Sequence, residues 1–124
     1  MTKTETKALL LVAHGSRRAA SNIEVVRLAD QLQADLAADF TMVKAAFLEL
    51  AEPSIPEGIT ACADAGADHV VVLPYFLNSG RHVAEDIPAE IETARQQLPD
   101  IKITLKAHIG ASPEMHQLLL KAVF

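Results

Sequence analysis

Two histidines and a glutamate come after three different apolar stretches of this 124-residue chain. His14 follows the apolar run that begins at Ala8 and opens the motif HGSRR, and His82 lies in SGRHVAED after another apolar run. Glu49 follows a third, within FLELAEPS. Imidazole and carboxylate groups together suit a first-row divalent metal such as iron, cobalt, nickel or zinc, and either group can accept a proton. If the three side chains converge, they form a candidate metal site.

Basic, hydroxyl and glycine residues surround both histidines and indicate a binding site for an anionic ligand. Arginine binds carboxylates as a bidentate pair, and glycine lets the backbone approach a ligand closely. The chain as a whole carries a net charge of −5, so an acidic ligand needs such local counter-charges. The residues that we assign to substrate binding are Ser16, Arg17, Arg18, Ser79, Gly80 and Arg81.

Hydrophobic patterning alternates between strand and helix four times, and these elements must position the candidate residues. Short apolar runs predict strands, and apolar residues at helical spacing predict amphipathic helices. The predicted strands are residues 8–13, 41–48, 70–73 and 101–107. The predicted helices are residues 22–38, 54–65, 83–98 and 113–123. Gly66 is the expected C-terminal stop of the second helix, and Pro88 is expected to kink or restart the third.

This alternation predicts an α/β fold whose parallel strands are joined by right-handed crossovers. The first and third strands are continuously apolar, as central strands covered on both faces should be, whereas the fourth alternates like an edge strand. We therefore expect a four-stranded parallel sheet of order 2-1-3-4 between two layers of helices. Ligands bind such sheets at the carboxyl ends of the strands, where the order switches. That point lies between the strands that precede His14 and His82.

Composition and charge exclude several classes of function. The acidic net charge argues against a general nucleic-acid binder and against a basic membrane-binding surface. Cys62 is the only cysteine, which excludes an intrachain disulfide and a CxxC metal site. The polar N-terminus carries no signal peptide, and no stretch approaches the ~20 apolar residues of a membrane helix. We expect one cytoplasmic domain spanning residues 1–124.

Structural roles are the simpler interpretation of several other polar residues. Asp86 is expected to cap the helix that restarts at Pro88, and Ser16 and Asn22 are typical of turns and caps. Histidines that share no location with the candidate site are expected to be structural or on the surface: His69, His108 and His116. Cys62 lies among alanines of a helix and is expected in the core.

Three motifs together resemble the short-form sirohydrochlorin cobaltochelatases of the CbiX type: HGSRR with Asn22 downstream, FLELAEPSI, and LPYFLNSGRHVAEDIP. The resemblance covers nearly the whole chain. It implies a class II chelatase fold and the insertion of a divalent metal into sirohydrochlorin. It also implies that His14 and His82 hold the metal and that Glu49 assists as a base or a ligand. The metal is then a substrate, and no tightly bound cofactor is expected.

The resemblance leaves the metal open. Cobalt, for cobalamin biosynthesis, is the first expectation, with iron for siroheme and nickel as alternatives within related families. Related sequences often carry a histidine before the proline that opens the last helix, and here Ser112 precedes Pro113. Larger relatives have two such domains facing a cleft, so a chain of this size predicts a homodimer with the cleft between the subunits.

Two functions of other classes also fit the residues. A hydrolase would use Ser16 or Ser79 with His82 and Asp86, although the chain has no G-x-S-x-G nucleophile elbow. A carrier would bind the metal or the tetrapyrrole without turnover.

Overall fold

The computed structural model describes residues 5–124. The four strands are β1 (Lys7–Ala13), β2 (Met42–Phe47), β3 (His69–Pro74) and β4 (Lys102–Leu105). The four α-helices are α1 (Ala19–Leu36), α2 (Ile55–Asp64), α3 (Ile87–Gln97) and α4 (Glu114–Ala122). A π-helical turn, His82–Asp86, precedes α3, and a 3₁₀ turn, Ile109–Ala111, precedes α4. Within residues 5–124, no helix is both long enough and apolar enough to cross a bilayer.

The strands form one parallel sheet in the order β2-β1-β3-β4, as predicted. β1 is central, with Val12 opposite Ala46 of β2 on one side and opposite Pro74 of β3 on the other. From Ala8 to Ala13 every residue of β1 is buried, which explains its unbroken apolar sequence. β4 alternates, with Lys102 exposed and Ile103 buried, as expected of the edge strand.

Helices cover both faces of the sheet, which confirms the predicted layers. On one face, Leu10 and Val12 of β1 belong to the same buried cluster as Ile59 of α2 and Ile91 of α3. On the other face, residues of β1 and β2 pack against α1, and the buried members of this cluster are Leu9, Leu11, Ala29 and Val43. Burying each such side chain contributes about 1.5–3 kcal/mol, so the two clusters fix the strands that carry the rim of the sheet.

Helix α4 is the exception to this packing. None of its residues is buried, and its exposed apolar side chains are Leu118, Leu119 and Leu120, followed by Val123 and Phe124. The helix therefore presents an apolar surface outside the two core clusters.

The starts of helices α1 and α3 differ from the predicted ones. α1 begins at Ala19 rather than residue 22, because Asn22 binds a neighbouring loop from within the first turns of the helix. The predicted helix 83–98 is divided: α3 begins at Ile87, and Pro88 lies in its first turn, where no amide hydrogen is needed. The residues before α3, His82–Asp86, form the π-helical turn, in which Ile87 N donates to His82 O. Gly66 ends α2 with a φ of 108°, as expected.

Candidate metal site at the carboxyl edge of the sheet

The candidate residues follow three neighbouring strands at their carboxyl ends. His14 comes directly after β1, Glu49 comes two residues after β2, and His82 opens the π-helical turn that follows β3. The parallel arrangement brings all three chain segments to the edge where the strand order switches. The structure thus places these residues where the sequence predicted them.

Backbone pairing beyond the strands holds Glu49 beside His14. Leu48 N donates to Ala13 O at 2.9 Å, and Glu49 N donates to His14 O at 3.0 Å, so the β1–β2 pairing continues past both strand ends. Gly15 then turns the chain away with a φ of 94°, in the left-handed region. Only glycine fits there, because a Cβ would lie 1.7 Å from the backbone oxygen of Glu49.

The three side chains meet above this backbone frame. Nε2 of His14 lies 3.1 Å from Oε1 of Glu49, and the rings of His14 and His82 pack edge to face with centroids 4.8 Å apart. One donor atom from each residue lies within 4.8 Å of the other two. The side chains are 42, 50 and 46 % exposed for His14, Glu49 and His82, so the cluster opens to solvent.

The hydrogen bond made by Nδ1 of each histidine ring determines which ring nitrogen is left to bind a metal. Nδ1 of His14 donates to Gly15 O at 3.0 Å, and Nδ1 of His82 donates to Oδ2 of Asp86 at 2.8 Å, since both partners are acceptors. In a neutral imidazole this leaves Nε2 as the nitrogen with a lone pair. Both histidines therefore have the tautomer in which Nε2 can coordinate a metal.

Nε2 of His14 and Oε1 of Glu49, 3.1 Å apart, form an ion pair when the imidazole is protonated, and a divalent metal could take the place of that proton. Such a metal bonds to nitrogen and oxygen at about 2.0–2.2 Å. Three protein ligands at a half-exposed site leave coordination positions for a second ligand, as in catalytic rather than structural metal sites. The donor set fits a metal that must be passed on.

The predicted substrate-binding residues lie around this cluster and are mostly exposed. Arg17 and Arg18 are exposed beside His14. Ser79 and Gly80 are exposed before the π-helical turn, and Arg81 forms an exposed ion pair with Glu85, with Nε and Oε2 3.1 Å apart. Nothing in these contacts assigns a ligand to them.

Ser16 and Asn22 have the turn roles expected of them. Asn22 holds the backbone of Ser16 at both ends, accepting from Ser16 N at 3.0 Å and donating to Ser16 O at 2.7 Å. Ser16 Oγ accepts from Arg18 N at 3.0 Å. The serine hydroxyl therefore closes a local turn, whereas the hydrolase alternative would need it against His82.

Asp86 does not cap α3, and this expectation was wrong. Its side chain makes no capping hydrogen bond and is turned to His82 instead. The hydrolase alternative had grouped Asp86 with His82, and the four-residue spacing of the two residues favours this pairing. Leu48, Glu49 and His82 line a small cleft of about 220 Å³ together with Asp86, Ala89 and Glu90.

His69 and Cys62 lie away from this cluster, as predicted. His69 is buried at the start of β3, where it bonds to Glu5 and Thr104. Cys62 is buried in the core, and burial raises the pKa of its thiol. Neither residue contributes to the cluster at the carboxyl edge.

Known proteins with the same fold include metal chelatases. The sirohydrochlorin chelatase SirB from Bacillus subtilis subspecies spizizenii, solved in complex with cobalt, superimposes with a TM-score of 0.84 at 32 % identity. The superposition covers 95 % of this chain and 50 % of SirB. The fold is therefore chelatase-like.

Curated relatives divide between two metals. The chloroplastic sirohydrochlorin ferrochelatase of Arabidopsis thaliana is 34 % identical over 119 residues, covering 96 % of this chain and 50 % of that protein. The sirohydrochlorin cobaltochelatase of Methanococcus maripaludis is 42 % identical over 82 residues, covering 66 % of this chain and 56 % of that protein. This chain spans about half the length of the curated relatives that it matches. The CbiX family model matches residues 8–124, and the chain belongs to the CbiX family.

Proposed function

We propose that this chain is a sirohydrochlorin chelatase that inserts a divalent metal, cobalt in the first instance, into the tetrapyrrole for cobalamin biosynthesis. The observation that carries the proposal is the open cluster of two imidazoles and one carboxylate at the switch point of the sheet. Membership of the CbiX family and the names of the similar proteins support it.

The proposed reaction requires a metal to be held, two pyrrole protons to be removed, and the metal to be released into the macrocycle. His14 and His82 hold the metal through Nε2, and Glu49 completes the set as a ligand or accepts a proton. Their exposure matters, because a flat macrocycle must approach the metal from the open side. Neutral imidazoles serve this purpose because they bind the metal without adding a charge that would hold it back.

The acidic macrocycle is bound by the groups that flank the cluster. Arg17, Arg18 and Arg81 provide local positive charge on a protein whose net charge is −5. Ser16, Ser79 and Gly80 supply hydroxyl and backbone groups in the same two loops. Each arginine is exposed and can rearrange to meet a carboxylate.

A second copy of this chain is the proposed partner. The chain spans about half the length of its curated relatives, and α4 leaves Leu118 and Leu119 each 58 % exposed. Burying that apolar surface against a second copy would create a cleft with two walls for the macrocycle. Analytical ultracentrifugation tests this directly, and a monomer at working concentration would contradict it.

The decisive experiment is anaerobic metalation of sirohydrochlorin with Co(II), Fe(II) or Ni(II), followed by absorbance. The quantity compared is the insertion rate after the protein-free rate has been subtracted. His14→Ala and His82→Ala should each lower it by at least tenfold, since each removes one of the three proposed ligands. Lys102→Ala changes an exposed residue at the start of β4, at the edge of the sheet opposite the cluster, and is the control that should leave the rate unchanged.

The ranking of the three metals decides between cobalt and its alternatives. Fastest insertion of cobalt supports cobalamin biosynthesis, and fastest insertion of iron supports siroheme synthesis. No rate above buffer for any metal contradicts catalysis. Tight binding of metal and tetrapyrrole without insertion would then favour the carrier.

A further inference from the structure

Asp86 contacts the candidate ligand His82 although it stands at the N-cap position of α3. Its Oδ2 lies 2.8 Å from Nδ1 of His82, while α3 receives no capping hydrogen bond from this side chain. Both side chains are about half exposed, at 44 and 46 %. The contact is therefore too exposed to contribute much to folding, since exposed ion pairs contribute about 0–1 kcal/mol.

We propose that Asp86 is a positioning residue that holds the His82 ring in the orientation and tautomer in which Nε2 can bind a metal. The proposal rests on the proposed metal-binding role of His82. The Asp86 carboxylate can only accept a hydrogen bond, so the proton of a neutral His82 stays on Nδ1 and the lone pair on Nε2. A carboxylate on the far nitrogen also strengthens the imidazole as a ligand.

The π-helical turn explains why this pair forms at this point of the chain. His82 and Asp86 are its first and last residues, and Ile87 N donates to His82 O across five residues. π-type turns inside helical segments are frequently found at functional sites. The turn places the carboxylate behind the imidazole, at the mouth of the cleft that Glu49 also lines.

The same turn contains a matched control. Arg81 and Glu85 are also four residues apart, and their Nε and Oε2 atoms are 3.1 Å apart. Glu85→Gln removes the charge of that pair one residue before Asp86 and leaves His82 and its partner in place. A general effect of losing an acidic residue or an ion pair from this turn would appear equally in Glu85→Gln.

The test is titration of the purified full chain with Co(II) alone, followed by the visible absorption of the bound ion. Asp86→Ala should weaken Co(II) binding by about 10–100-fold. Asp86→Asn should recover part of that loss, because its amide oxygen still accepts from Nδ1 although the charge is gone. Glu85→Gln should bind like the wild type, and the thermal unfolding of all three variants should match it closely.

Three outcomes separate the proposal from its competitors. Equal Co(II) affinity for Asp86→Ala and Glu85→Gln would overturn it. Asp86→Asn as weak as Asp86→Ala, with a Co(II) spectrum of changed coordination, would make Asp86 a ligand and overturn the positioning role. Absence of Co(II) binding by the wild type would instead overturn the proposed function, on which the inference rests.

Discussion

Gly15 lies so close to the backbone of Glu49 that a Cβ at this position would come within 1.7 Å of the carbonyl oxygen. This contact joins the loop after β1 to the loop after β2, one residue beyond the hydrogen bond from Glu49 N to His14 O. Two candidate ligands from different strands are thus positioned by backbone packing rather than by their own side chains.

Gly15→Ala should therefore disturb the site more than an ordinary glycine replacement. Gly66 is the matched control, because its φ of 108° resembles the 94° of Gly15 but a Cβ there meets nothing within 4 Å. Gly66→Ala should cost about 1–3 kcal/mol from backbone strain alone. Gly15→Ala should cost more, as measured by urea unfolding, and should also weaken Co(II) binding by tenfold or more. Equal losses of stability and unchanged Co(II) affinity would contradict the close contact.

Asn22 should support substrate binding through the HGSRR loop. Its side chain bonds both N and O of Ser16, so Asn22→Ala frees the segment that carries Arg17 and Arg18. We expect a several-fold rise in the KM for sirohydrochlorin and a loss of about 1–2 kcal/mol in unfolding free energy.

The same helix supplies the control for Asn22. Gln33 accepts from Val43 N at 2.6 Å and donates to Phe40 O at 3.4 Å, near the start of β2 and away from the site. Gln33→Ala should cost similar stability and leave KM unchanged. An equal rise in KM for both variants would mean that a general loss of stability of the protein, and not a change in the Ser16 loop, raises the KM.

His69 should prove structural despite its contact with a carboxylate. It is 8 % exposed, with Nδ1 2.6 Å from Glu5 Oε1 and Nε2 2.7 Å from Thr104 Oγ1. Because the carboxylate can only accept, Nδ1 carries the proton and the Thr104 hydroxyl donates to Nε2. His69→Phe should destabilise the protein by about 1–3 kcal/mol, since it removes both hydrogen bonds.

Co(II) binding distinguishes this role from that of the site histidines. His69 begins β3, whereas the candidate site follows the other end of that strand, so metal affinity should not change in His69→Phe. Thr104→Val removes one of the two partners and should cause a smaller loss of stability. A His69→Phe protein of normal stability that no longer bound Co(II) would disprove the structural role.

Glu57 should make the stability of α2 depend on pH. Ser54 N donates to its Oε1 at 2.8 Å, and Glu57 N donates in turn to Ser54 Oγ at 3.2 Å, which forms a capping box. Hydrogen bonds to its carboxylate, first from the backbone and then from the side chain of Ser54, lower the pKa of Glu57 below its ordinary value of 4.5. A lowered folded-state pKa contributes stability above the unfolded value that disappears as pH falls through the folded value.

Comparison with Glu57→Gln isolates this effect. The Tm of the wild type should exceed that of Glu57→Gln at about pH 7, and the difference should shrink as pH falls below 4.5 and through the lowered pKa of Glu57. Other carboxylates, including Glu114, titrate in both proteins and cancel in the difference. A constant difference across that range would show that the charge of Glu57 does not contribute.

Strand order and the meeting of His14, Glu49 and His82 were predictable, because unbroken apolar runs mark central strands and parallel strands end at one edge. The π-helical turn His82–Asp86 before Pro88 was not predictable, since π-helical and α-helical turns share the same pattern of apolar residues. Asp86 was expected to be a cap because it stands next to a helix start, but its side chain bonds to His82 four residues earlier instead.

The core does not depend on the three candidate metal ligands. His14, Glu49 and His82 are half exposed and stand beyond the last buried residues of their strands, so exchanging them removes little packing. Mutations of these residues that alter a preference among metal ions can therefore accumulate at the carboxyl edge of the sheet with little loss of stability. Substitutions at these three positions are therefore expected to leave the free energy of unfolding nearly unchanged.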